Sequence, residues 1–141
     1  MNRTLAIIKP DAVASAKAGK ILAHLEEAGF NPKALRMIRL SATQAEAFYA
    51  VHRDRPFFGS LVSFMTSGPC LPLVLEAEGA VLKLREVIGA TDPAEAADGT
   101  VRRLYAENKE RNAIHASDSD ENAEREIRFF FSDWDILATD V

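Results

Sequence analysis

The chain is poor in the residues that signal an unusual architecture. It has one cysteine, Cys70, so no intrachain disulfide can form, and it reads as an intracellular, cytoplasmic protein. Glycine and proline number only 7 and 6, which excludes collagenous and Pro/Gly-rich disordered chains. No apolar run approaches the length that spans a bilayer. The stretch after Met1-Asn2-Arg3-Thr4 stops at Lys9-Pro10, too short for the core of a secretion signal. A basic excess is missing too: the formal net charge is −4, which argues against nucleic acid as a partner but allows a local basic pocket. Neither Gly-x-x-x-x-Gly-Lys-Ser/Thr nor Gly-x-Gly-x-x-Gly occurs, so the usual glycine loops for phosphate and dinucleotides are excluded. His52-Arg53-Asp54 matches a protein-kinase triplet, but Gly59 stands where its asparagine belongs and no Asp-Phe-Gly follows. The triplet reads as the polar end of a helix.

What remains is ordinary for a globular protein, 48% hydrophobic and 27% charged. The length suits one domain over residues 1–141, with no repeat or linker to divide it. Leu5 to Ile8 reads as a buried strand that delivers Lys9 at its carboxyl end. Ile21, Leu22, Leu25 and Ala28 have helical spacing and Gly29 stops them. Leu35 to Leu40 reads as a second strand. Ser41 and Gln44 form a capping-box pattern that opens a helix through Ala45, Phe48 and Tyr49. Leu61, Val62 and Met65 suggest a further helix, Ser67-Gly68-Pro69 a turn, and Leu71 to Leu75 a third strand around a buried Cys70. Val81, Leu84 and Ile88 give another helix ended by Gly89, followed by an aperiodic stretch to Thr100 of the kind that carries function. Ala123, Ile127, Phe130 and Phe131 make a last amphipathic helix, with Ser117 and Asp118 as its expected caps. Strands and helices interleave, as in an α/β domain.

One segment carries chemistry on its face: Asn112-Ala113-Ile114-His115-Ala116-Ser117-Asp118-Ser119. An unprotonated imidazole nitrogen is a good phosphoryl acceptor near neutral pH. Placed just before a helix start, His115 would lie near free backbone N–H groups that favour anionic oxygens. Glu126 on the following helix could hold one ring nitrogen and leave the other free. A lone histidine beside a capped helix is ordinarily a surface residue; the eight-residue context points the other way.

That segment resembles the active-site signature of the nucleoside diphosphate kinase family. The likeness continues through Arg3-Thr4-Leu5-Ala6-Ile7-Ile8-Lys9-Pro10-Asp11, Arg55-Pro56-Phe57-Phe58, Ser67-Gly68-Pro69, Gly89-Ala90-Thr91-Asp92-Pro93 and Gly99-Thr100-Val101-Arg102. It runs on from Asp118 to Ile127. The resemblance implies an α+β fold with a ferredoxin-like βαββαβ core, a four-stranded antiparallel sheet with helices packed on it. It implies ping-pong transfer of the γ-phosphate from a nucleoside triphosphate, typically ATP, to a nucleoside diphosphate through a phosphohistidine on His115. In that reading Lys9 and Asn112 contact the sugar, with Lys9 also near the transferring phosphate. Arg85, Thr91 and Arg102 hold the phosphate chain, Phe57 stacks on the base, Tyr49 lies close to the histidine, and Glu126 orients it. The metal is Mg2+, carried in by the nucleotide phosphates, with no protein ligands of its own. The assembly is a tetramer or hexamer built from dimers, and the short tail from Trp134 to Val141 points to the bacterial type of tetramer.

Two departures from the family pattern stand out. Ala116 replaces a common glycine, and its methyl could restrict the backbone after His115. Arg103-Leu104-Tyr105 replaces a common Gly-Asp-Phe, with consequences for subunit contacts or loop packing. The competing readings are an inactive nucleotide-binding relative and a ferredoxin-like regulatory module. The joint presence of Lys9, Arg85, Thr91, Arg102, Asn112 and His115 argues against both.

Overall fold

The computed structural model describes residues 2–139, so Met1 and the tail's last two residues, Asp140 and Val141, lie outside it. Four strands, β1 (Arg3–Ile8), β2 (Asn31–Leu35), β3 (Leu71–Glu76) and β4 (Ile114–Ala116), form one antiparallel sheet in the order β2-β3-β1-β4. The helices are α1 (Pro10–Ala14), α2 (Ala18–Glu27), α3 (Ala42–Phe48), α4 (Phe58–Met65), α5 (Ala80–Ile88), α6 (Val101–Tyr105), α7 (Asp120–Phe130) and α8 (Asp133–Leu137). Strand, helix, two strands separated by helices, helix and strand follow one another, and the core is ferredoxin-like βαββαβ.

Successive strand residues point to opposite faces, so β1 divides its side chains between two cores. Ala6 and Ile8 join Ile21 and Leu25 of α2 and Leu84 and Ile88 of α5 on one face. Leu5 and Ile7 join Phe48 of α3, Phe64 of α4, and Ile127 and Phe130 of α7 on the other. Sealing β1 between two layers leaves Leu5 through Ile8 without solvent contact. Leu5, Ile7 and Ile8 each contribute roughly 1.5–3 kcal/mol of hydrophobic stabilisation, and Ala6 less.

The structure corrects the sequence reading in three places. The second strand spans Asn31–Leu35 instead of Leu35 to Leu40. Pro32 is tolerated because β2 is an edge strand, and a bulge between Pro32 and Ala34 shifts its register against β3. Beyond Leu35 the pairing continues only through the Arg36 N–H to the Pro72 carbonyl at 3.2 Å and a bridge from Ile38 to Cys70; Leu40 is buried, while Met37 is exposed. The cap of α7 is Ser119, whose hydroxyl accepts the Asn122 N–H at 3.1 Å, in place of Ser117 and Asp118. Asp118 instead accepts the Asn122 side-chain amide at 2.6 Å. His115 does not abut a helix start. It lies in β4, a strand too short for periodicity to reveal.

The capping box of Ser41 and Gln44 is present as expected. Gly89 ends α5 at φ 87° and ψ −177°, a conformation open only to glycine. A Cβ there would stand 2.6 Å from Thr100 Oγ1, which caps α6 through the Arg103 N–H. Gly89→Ala is therefore expected to cost about 1–3 kcal/mol in backbone strain and to displace Thr100. Chemical denaturation checks the first effect; faster amide hydrogen exchange at Arg103, whose N–H Thr100 caps, checks the second.

Candidate active site

The register of β4 sets the direction of His115. It pairs with Ile7, and antiparallel partners share a face, so the imidazole points into the Phe48–Ile127 layer. Phe48 presents its ring edgewise to the imidazole at 5.4 Å between centroids, and Tyr49 does so at 6.1 Å. Ala116 lies on the opposite face, buried and without a positive φ, so its methyl imposes no backbone strain after His115.

Glu126 reaches the histidine from α7. Its Oε1 is 2.6 Å from His115 Nε2 and also accepts the Ser117 hydroxyl at 2.8 Å. Its Oε2 lies 3.6 Å from Arg125. The Nε2–H tautomer donates to the carboxylate, and Nδ1 has no hydrogen bond among the described residues. Ser117 was missed as a site residue because it reads as a helix cap. Glu126 had a legible signal: it interrupts the apolar stripe of Ala123, Ile127 and Phe130, and it is only 6% exposed.

Lys9 follows Ile7 on the same face and emerges from β1 next to Phe64, with Nζ 5.9 Å from the ring centroid. It is buried, and Nζ donates to Asn112 Oδ1 at 2.8 Å. Burial, reinforced by the charge of Arg102, pulls its pKa down to about 8 against the opposing pull of Asp11 and Glu110. Arg102 is equally buried. Its guanidinium donates to the Gly89 carbonyl at 3.1 Å and the Ile114 carbonyl at 2.8 Å, while Nε has no partner among the described residues. Burial first, then Arg85, brings its pKa down to about 10, so it stays a cation. Arg85 donates to the Ala116 carbonyl at 3.3 Å. The Ile114 and Ala116 carbonyls lie on the edge of β4 away from β1. Two arginines thus close a strand edge that would otherwise expose unpaired backbone.

Thr91 stands at the mouth, its carbonyl accepting the Asn112 side-chain amide at 3.5 Å. Phe57 is 47% exposed and tilted against His52, whereas Phe58 packs on the core. Tyr49 is buried; desolvation, with Cys70 and Glu126 nearby, raises its phenol pKa, and its hydroxyl has no partner among the described residues. Lys9, Tyr49, Phe57, Arg85, Thr91, Arg102, Asn112, His115 and Glu126 all line one cavity of about 720 Å³. Cys70 stands outside that lining, buried, with its thiol pushed up to about 11 by desolvation, as expected of a packing residue.

The family model described as nucleoside diphosphate kinase matches residues 2–136. The chain belongs to the nucleoside diphosphate kinase family. A nucleoside diphosphate kinase of Halorhodospira halophila is 59% identical over 131 residues, 93% of this chain and 93% of that protein. One from Desulfatibacillum aliphaticivorans is 52% identical over 136 residues, 96% of this chain and 99% of the relative. Among solved structures, the Aquifex aeolicus nucleoside diphosphate kinase superposes with a TM-score of 0.94 at 49% identity, covering 96% of this chain and 98% of its own. The halophilic nucleoside diphosphate kinase of Halobacterium salinarum, in complex with CDP, gives 0.91 at 39% identity, covering 96% and 91%. Five cationic side chains, Lys9, Arg85, Arg102, Lys109 and Arg125, line the same cavity as the His115 imidazole.

Proposed function

We propose that the chain is an active nucleoside diphosphate kinase and that His115 carries the phosphate between two nucleotides. The observation that supports this most is the hydrogen bond of His115 Nε2 to Glu126, which leaves Nδ1 without a partner among the described residues in a cavity also lined by Lys9, Arg85 and Arg102. In the first half-reaction the Nδ1 lone pair attacks the γ-phosphorus of a nucleoside triphosphate, typically ATP. The N–P bond forms as the bond to the bridging oxygen breaks, and the diphosphate leaves with that oxygen. In the second, the terminal oxygen of another nucleoside diphosphate attacks phosphorus and the N–P bond breaks. Glu126 stabilises the charge that develops on the ring, and the cations stabilise the charge spread over the phosphoryl oxygens. Lys9 and Asn112 meet the sugar, with Lys9 also near the transferring phosphate; Arg85, Thr91 and Arg102 hold the phosphate chain, and Phe57 stacks on the base. Stacking accepts any base, which suits exchange among nucleotides. Tyr49 supports the imidazole as a neutral phenol.

The pocket's donors fit a magnesium ion held by nucleotide phosphates. Glu126 is taken by His115 and Ser117, Asp118 by Asn122, and Glu110 by the Ser60 hydroxyl. Mg2+ characteristically keeps phosphate and water ligands, and when bound it neutralises phosphate charge. Lys9, Arg85 and Arg102 would hold the phosphates that carry it. We also propose a homo-oligomer, a tetramer or hexamer built from dimers. Leu35, Met37, Trp134 and Leu137 are exposed on edge strand β2, the segment after it and α8, which suits burial against another copy; a mass measurement in solution tests this. The protein is proposed to be cytoplasmic, and no described helix is long and apolar enough to cross a membrane.

Incubation with γ-labelled ATP alone tests the reaction. The expected result is an acid-labile, base-stable label on the protein that chases onto added nucleoside diphosphate. Nucleotide binding without label would mean an inactive relative, and neither binding nor label a regulatory module. Two further outcomes are expected. Glu126→Gln removes the charge facing Nε2–H and is expected to lower kcat by roughly 10- to 100-fold, the worth of a hydrogen bond to a charged group. Lys9 is a cation below its pKa of about 8 and neutral above it, so kcat/KM of the free enzyme is expected to fall as pH rises through that value. A profile flat to pH 10 would count against a role for the ammonium.

A further inference from the structure

Asp11 is a buried carboxylate that the reaction scheme leaves without a task. It is 4% exposed, at the start of the short helix after Lys9. Its Oδ2 accepts the Ala113 N–H at 3.1 Å, and its Oδ1 has no partner among the described residues. Burying a carboxylate on one hydrogen bond is costly, and a serine or asparagine would serve as acceptor at lower cost. Ala113 is itself unusual. Its φ of 73° is a left-handed conformation that costs an L-residue free energy unless its surroundings hold it. Its carbonyl accepts the Lys9 N–H at 2.9 Å. Both backbone groups of Ala113 are therefore tied to the end of β1, by Lys9 on one side and Asp11 on the other. Asn112, which holds Lys9 Nζ, stands immediately before this turn, and His115 two residues after it.

We propose that Asp11 is a positioning residue for phosphoryl transfer, clamping the left-handed turn that aims Asn112 and His115 and serving as counter-charge to Lys9. The inference rests on reading His115 and Lys9 as working groups. The charges around the ammonium are unequal. Arg102 from α6 opposes it, while Asp11 from α1 and Glu110 from the loop before β4 favour it. Lys109 and Arg85 line the same cavity, and Arg111 shares the Phe64 ring with Lys9. Asp11 is the buried member of the two favourable carboxylates, so solvent screens it least.

Two variants separate clamp from charge. Asp11→Asn keeps the size and the acceptor but removes the charge. Its alkaline limb in kcat/KM is expected to move down by roughly 1 pH unit, so its deficit against the unmodified enzyme widens from pH 6.5 to pH 9. Asp11→Ala removes both and is expected to lose at least about tenfold in kcat at every pH, because the turn is no longer held. Thermal melts of both variants identify the folded fraction; if Asp11→Ala does not fold, Asp11→Asn decides the charge role and Asp11→Leu, which fills the space without an acceptor for the Ala113 N–H, replaces Asp11→Ala as the test of the clamp. An alkaline limb unmoved in Asp11→Asn overturns the charge role, and a folded Asp11→Ala with undiminished kcat overturns the clamp. The unmodified protein is labelled with γ-labelled ATP in parallel. If it takes no label, the reading of His115 itself has failed; if it labels normally, a null result in the variants counts against Asp11 alone.

Discussion

Replacing His115 with alanine is expected to reduce phosphate exchange by on the order of 10⁴-fold or more, because the residue proposed to form the covalent intermediate is gone. Nucleotide binding should survive, since Lys9, Arg85, Arg102 and Phe57 are the residues proposed to hold other parts of the ligand and, among the described residues, none of them hydrogen-bonds the imidazole. The fold should survive as well. Glu126 keeps the Ser117 hydroxyl and the nearby Arg125, so the deletion leaves a weakened buried carboxylate rather than a bare one. The expected destabilisation is about 1–3 kcal/mol. Calorimetric titration with a nucleoside diphosphate, beside a single-turnover assay with labelled ATP, separates binding from chemistry. Exchange within tenfold of the unmodified rate would falsify the assignment.

The second large effect belongs to Arg102, which braces the fold and is proposed to hold the ligand's phosphates as well. Arg102→Ala removes a cation from the phosphate site, a loss of about 10²- to 10³-fold in kcat/KM. It also strips the donors from the carbonyls of Gly89 and Ile114, which its guanidinium holds at 3.1 and 2.8 Å. Each buried carbonyl left unpaired costs about 1–3 kcal/mol. Melting temperature and activity should therefore fall together. Arg102→Lys is the informative companion. It keeps the charge but cannot span both carbonyls, so it should recover part of the activity and little of the stability. Equal melting temperatures for all three proteins would show that the carbonyl contacts contribute nothing.

Arg85 is expected to behave differently for a reason visible in its surroundings. It is exposed and makes one backbone contact, to Ala116, at 3.3 Å. Its loss should be felt in nucleotide affinity far more than in stability. Two arginines that look alike in the sequence thus divide into a buried brace and an exposed side chain proposed to bind phosphate.

Burial accounts for most of what the sequence could and could not reveal. Leu5 to Ile8, Leu71 to Leu75 and the helices ending at Gly29 and Gly89 were legible because apolar periodicity and stop signals are local properties. The strand β4 was not, because Ile114–Ala116 is held by its pairing with β1 instead of by its own composition. Edge strand β2 was misplaced because Pro32 argues against a strand everywhere except at an edge, and only the sheet order makes it one. Ser117 read as a cap and is instead a buried donor to Glu126, a role set by a partner nine positions away.

The sequence by itself determined the family, through the blocks around Lys9, Arg55, Gly89, Arg102 and His115, and with it the expected ferredoxin-like core. Through that resemblance it also named nine of the residues that line the cavity, leaving out others such as Lys109, Glu110 and Arg125. It could not say which of those charges are buried, what each touches, or which nitrogen of His115 is left without a partner. Those follow from contacts between residues distant in the chain: Lys9 with Asn112, Arg102 with Gly89, His115 with Glu126, and Asp11 with Ala113. The physical reason is that residue type is a local property, whereas desolvation and hydrogen bonding depend on the surroundings, and only the tertiary fold supplies those.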